Sequence, residues 1–149
     1  MNAIVARMKW IMVVCGLLTC TMLFAAVAPQ EALRSTFGEG LEGPVAEIVV
    51  RNWGVLIGLI GGMLVYGGFR PAVRPLVLLV AGTSKVVFIL LILTAGRQFL
   101  SHQAGVAVVT DTAQVALFAV YLIASPSASG RGPRNADRTA AAGVVTEVH

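Results

Sequence analysis

A chain of 149 residues with 57% hydrophobic and only 12% charged residues is far more apolar than a soluble domain, in which about a quarter of residues carry charge. Its mean hydropathy of +0.85 indicates a membrane protein, and its length allows one bundle of about four spans with no second domain. The formal net charge of +4 does not argue for a nucleic-acid partner, because the basic residues flank apolar runs and form neither a stripe nor an aromatic platform.

The first apolar run, 10–28, follows Arg7 and Lys9 and contains no charge. Ala26-Val27-Ala28 has the small residues of a signal-peptide cleavage site. The run is nevertheless longer than a secretory h-region, and Pro29 would occupy the first mature position, so an uncleaved helix is expected. Cys15 and Cys20 lie about 140° apart around such a helix and cannot bridge or hold a metal together. They read as packed thiols.

From Pro29 to Glu47 the chain turns polar, with Glu31, Glu39, Glu42 and Glu47 against Arg34, and with Gly38, Gly40, Gly43 and Pro44 opposing any long helix. A linker is the expectation, with a short cap over the bundle mouth as the alternative. The second span, 48–69, opens with Arg51-Asn52-Trp53-Gly54. Glu47 and Arg51 have favourable helical spacing for an ion pair, and Trp53 suits the membrane interface. Gly54, Gly58 and Gly62 recur at intervals of four, forming a small-residue stripe that admits another helix closely. Packing within the chain is the expectation, and a homodimer face the rival.

Arg70-Pro71 to Arg74-Pro75 forms a basic turn that stops helix propagation on both sides. The third span, 76–95, is about 30 Å long as a helix and carries one charge, Lys85, preceded by Thr83 and Ser84. A lysine at mid-bilayer costs about 2.5–3.5 kcal/mol on insertion scales, so it needs a polar partner from another span. A short loop with His102, expected to be solvated, leads to the fourth span, 105–124, which contains Thr110-Asp111-Thr112-Ala113-Gln114. The segment 125–149, rich in Gly, Ser, Pro and Ala, is expected to be a disordered tail.

The expected fold is therefore an all-α four-helix transmembrane bundle, with both termini cytoplasmic. Arg7, Lys9, Arg70, Arg74, Arg131, Arg134 and Arg138 then lie inside, and Arg34, Arg51 and Arg97 outside, in accord with the positive-inside rule. On straight helices Lys85 and Asp111 differ in depth by about 8 Å, within reach of a snorkelling lysine or a bridging water. Arg51 competes for Asp111 from the outer face. A polar core of Arg51, Asn52, Ser84, Lys85, Asp111 and Gln114 in the outer half is the candidate site. Such residues serve either as interhelical glue or as a ligand pocket, ion path or proton relay. No H-E-x-x-H, paired histidines or nucleophile motif is present, so neither an enzyme, a metal nor a cofactor is expected.

At Arg51-Asn52-Trp53-Gly54, the glycine stripe, Arg70-Pro71 and Ser84-Lys85, the chain looks like the small four-helix bacterial inner-membrane proteins grouped with DoxX-like proteins. The resemblance covers about residues 8–124 and implies the inner membrane as location. Some relatives are associated with sulfur or quinone redox chemistry, but this chain lacks a C-x-x-C motif and that activity is not carried over. The expected function is binding of a small molecule or lipid, or an accessory role in a membrane complex, with membrane lipids and a second copy of the chain as candidate partners. An oligomeric proton, ion or small-solute transporter is the alternative.

Overall fold

The computed structural model describes residues 2–125, all of whose regular elements are helical. They are α1 (Asn2–Cys20), a 3-10 turn (Thr21–Leu23), α2 (Phe24–Val27), α3 (Pro29–Phe37), α4 (Pro44–Phe69), α5 (Arg74–Ala95), a second 3-10 turn (Arg97–Ser101) and α6 (Gln103–Ala124). Four segments, Arg7–Val27, Pro44–Phe69, Arg74–Ala95 and Gln103–Ala124, are long and apolar enough to cross a membrane. The last three begin a few residues before the expected spans, because helices starting at a Pro or polar residue extend past the apolar run. The expected disorder of 126–149 lies outside the described residues.

Leu56, Leu79, Leu90, Leu91, Val109 and Ile123 are exposed on the outer faces of α4, α5 and α6, as befits a lipid-facing surface. Lipid tails are as apolar as leucine, so helix association depends on close packing rather than on burial from water. The α1–α4 seam shows how the sequence achieves it. A Cβ placed on Gly61 would lie 2.7 Å from the Gly16 carbonyl oxygen and 2.7 Å from Cys20 Sγ, and one on Gly54 would lie 2.9 Å from the Met22 carbonyl oxygen. Gly58 meets Leu23, and Gly68 meets the Lys9 carbonyl.

The third member of the expected stripe, Gly62, faces nothing within 4 Å; Gly61 holds its place. The reason is geometric. Each step of four residues overshoots a full turn by about 40°, so a strict i, i+4 series rotates off the seam, whereas alternating steps of four and three keep it in line. Gly54, Gly58, Gly61, Val65 and Gly68 follow that alternation, with Val65 seated on Gly16.

The end of the bundle carrying Arg7, Lys9, Arg70 and Arg74, here the basic end, is solid. Met8, Met12, Cys15, Leu64, Val77, Leu78, Ala81, Phe118 and Tyr121 form one buried core across α1, α4, α5 and α6. Arg74 is buried with it. Its guanidinium donates to the Gly67 and Gly68 carbonyls at 3.3 and 2.9 Å and to Tyr121 Oη at 3.4 Å, fastening the C-terminus of α4 to α6. A cation on those terminal carbonyls also complements the α4 dipole.

At the opposite, acidic end, α3 is the element that the expectation of a linker does not include. Pro29 sits in its first turn with Glu31, and Gly38 ends it at φ +78°, donating to the Arg34 carbonyl at 2.8 Å. Glycine accepts that left-handed conformation at no cost. The buried face of α3, Pro29, Ala32, Leu33 and Thr36, packs with Ala25 and Val50, flanked by Phe37 and Trp53, and so closes that end of the bundle.

Candidate functional site

Between the solid core and the α3 cap lies a cavity of about 480 Å³. Its walls follow helical periodicity. From α4 come Trp53, Ile57 and Ile60; from α5, Ser84, Lys85 and Phe88; from α6, Gln103, Ala107, Thr110, Asp111 and Gln114. Spacings of three and four put each set on one face of its helix. Leu18, Thr19 and Met22 at the end of α1 and its turn, with Thr36 of α3, add to the lining.

Most of this lining is apolar, which gives its few polar groups their weight. Lys85 Nζ donates to Asp111 Oδ1 at 2.5 Å, with side chains 9% and 16% exposed, so the intramembrane cation is paired across α5 and α6. Three residues further along α6, Gln114 is 5% exposed and its Oε1 has no hydrogen-bond partner among the described residues. A buried amide oxygen left unpaired costs about 1–3 kcal/mol, so a donor entering the cavity is favoured there. Ser84 is half-buried on the lining beside Lys85.

Arg51 and Asn52 do not join this set. Arg51 is engaged by Glu47 Oε1 at 2.7 Å and by the Ala26 carbonyl at 2.6 Å, and both Arg51 and Asn52 are exposed. The fork-shaped guanidinium caps the Ala26 carbonyl at the end of α2, a demand invisible until the α1–α2 bend is known. That bend is set by the 3-10 turn, where Thr19 and Thr21 hydroxyls donate back to the Cys15 and Leu18 carbonyls. The one residue of the Arg51-Asn52-Trp53 run that lines the cavity is Trp53, whose ring also packs against Phe37.

Neither thiol reaches a reactive arrangement. Cys15 is part of the packed core, and Cys20 Sγ donates to the Gly58 carbonyl at 3.5 Å. His102 is exposed, its ring lying against Gly38 and its Nδ1 3.3 Å from Ser101 Oγ. Among the described residues no group of three His, Cys, Asp or Glu side chains could hold a metal ion. Thr36, Trp53, Phe88 and Gln103 are lining residues that hydropathy did not single out. Only the amphipathic pattern of 29–37 could have pointed to Thr36.

No family model matches the chain, and neither the curated proteins nor the solved structures yield a match.

Proposed function

We propose that this chain is a multi-pass protein of the bacterial inner membrane, of the four-helix type that its resemblance to DoxX-like proteins implies, with both termini cytoplasmic. We propose further that its cavity binds a small lipid-soluble molecule. The orientation is supported by charge: Arg7, Lys9, Arg70 and Arg74 share one end, and the segment after α6 adds Arg131, Arg134 and Arg138. The basic end is then cytoplasmic and the cavity lies in the outer half of the bilayer.

The observation that carries the binding role is the cavity itself. Its volume of about 480 Å³ falls within the range of about 300–1,000 Å³ usual for ligand pockets, and it combines apolar walls with a few convergent polar groups. An accessory subunit that presents a bound lipid to a larger complex would use the same pocket. Native mass spectrometry of the detergent-purified protein tests this. Wild type is expected to retain a small molecule, and Ala107→Phe, which fills the cavity, is expected to lose it. Wild type without any retained mass, or a mass indifferent to Ala107→Phe, would count against the reading.

The Lys85–Asp111 pair gives a second reading, transport of protons or ions, because ionisable residues inside membranes line such paths. The solid core of Met8, Met12, Leu64, Leu78 and Phe118 blocks a path through a single copy, so transport would require an oligomer. It predicts liposome flux that Lys85→Met and Asp111→Asn abolish; equal flux with and without either change excludes it.

A further inference from the structure

We infer that the molecule held in the cavity ends in a hydroxyl group, and that it enters sideways from the outer leaflet between α1 and α6. This rests on the binding role proposed above and specifies its ligand class and route.

The head group follows from what the pocket leaves unused. Gln114 Oε1 is a buried acceptor with no donor among the described residues. Lys85, an ammonium with three N–H groups, makes one hydrogen bond among the described residues, to Asp111, and so keeps donors for an incoming oxygen. A hydroxyl satisfies both at once: its hydrogen goes to Gln114 Oε1 and its oxygen accepts from Lys85. A ketone or ether accepts from the lysine but leaves the glutamine unpaired. A carboxylate would set a second negative charge beside Asp111 and has no proton for Gln114. The remaining wall, Leu18, Met22, Ile57, Ile60, Phe88 and Val106, suits a hydrocarbon body.

The route follows from the seams. α1 packs along α4, α5 along α6 and α4 along α5, whereas α1 and α6 have little contact. They share the packed core at the basic end, through Met8, Met12, Phe118 and Tyr121. Farther along, Leu18 on α1 and Val106 on α6 both line the cavity and are exposed, at 52% and 68%. Both lie within spanning segments, so the rim opens toward lipid. The water side is covered by α3, with Thr36 lining the cavity from beneath the cap.

The test uses Trp53 as its reporter. With Trp10, an exposed residue of the basic end, changed to Phe, Trp53 is the sole tryptophan and lines the cavity. The full-length Trp10→Phe protein in nanodiscs is titrated with omega-bromoundecanol and with its methyl ether, both bromine quenchers. The alcohol is expected to quench saturably with about tenfold tighter binding than the ether, the discrimination a site built to hydrogen-bond a hydroxyl provides. Gln114→Leu should erase that preference while the ether still quenches, which also shows that the variant remains folded. Val106→Phe at the rim should slow the onset of quenching, and Leu79→Phe on the lipid face of α5 should not. Equal binding of alcohol and ether overturns the hydroxyl assignment and leaves the pocket standing. Equal onset in the two Phe variants overturns the lateral route. Absence of saturable quenching by either probe overturns the binding role itself.

Discussion

The two halves of the bundle solve the same problem in opposite ways. In the basic half, α1, α4, α5 and α6 close on Met8, Met12, Leu64, Leu78 and Phe118, and Arg74, the one buried cation there among the described residues, directs its donors to backbone carbonyls and a tyrosine hydroxyl. In the acidic half the same helices stand around a cavity, and the buried cation, Lys85, is held by one carboxylate beside an unpartnered amide. A cation satisfied by backbone is locked into the architecture. A cation satisfied by one side chain at a cavity wall retains donors for something else. The difference marks the basic half as scaffold and the acidic half as site.

The largest expected effect separates the halves by packing. Phe118→Ala should cost about 3–5 kcal/mol, because the solid core cannot collapse around the loss, whereas Phe88→Ala, at the edge of an existing void, should cost less than about 2 kcal/mol. Denaturant titration in detergent measures both, and equal losses would break the comparison. Next come two arginines from opposite ends of the bundle. Arg74→Met should cost about 1.5–3 kcal/mol through orphaned carbonyls, against about 0–1 kcal/mol for Arg51→Met, whose ion pair is nearly half exposed. On the α1–α4 seam, Gly61→Ala should destabilise by about 1–3 kcal/mol, since its methyl meets the Gly16 carbonyl and Cys20. Gly62→Ala, with open space around it, should instead stabilise by about 0.5–1 kcal/mol through helix propensity. A change of similar size is the most telling for the site: Gln114→Leu should raise the stability of the ligand-free protein by about 1 kcal/mol by removing an unpaired buried polar group. The same substitution in a finished core would lower it.

Much of this was readable in the residues. Four apolar runs of bilayer length specify four spanning helices, and depth arithmetic along α5 and α6 brings Lys85 and Asp111 within reach, because rise per residue is nearly constant in a helix. What hydropathy could not reveal depends on rotation and bending. Gly61 replaces Gly62 because a seam follows alternating steps of three and four. Arg51 leaves the cluster because the bend at Thr21–Leu23 offers it the Ala26 carbonyl. Helix α3 was masked by its polarity, although Pro29, Glu31 and Gly38 are sound boundary signals for it. The cavity is the least legible feature of all, since a void is a mismatch of shapes among α1, α4, α5 and α6 and belongs to no single segment.

A double-mutant cycle on Lys85 and Asp111 tests the central claim most directly, namely that these two side chains neutralise each other inside the membrane. Unfolding free energies in lipid nanodiscs should fall by about 3 kcal/mol for Lys85→Met and for Asp111→Leu alone, each leaving one buried charge unpaired, and most of that loss should be recovered when both are changed. Losses that simply add would mean that the two groups do not depend on each other, contradicting the account.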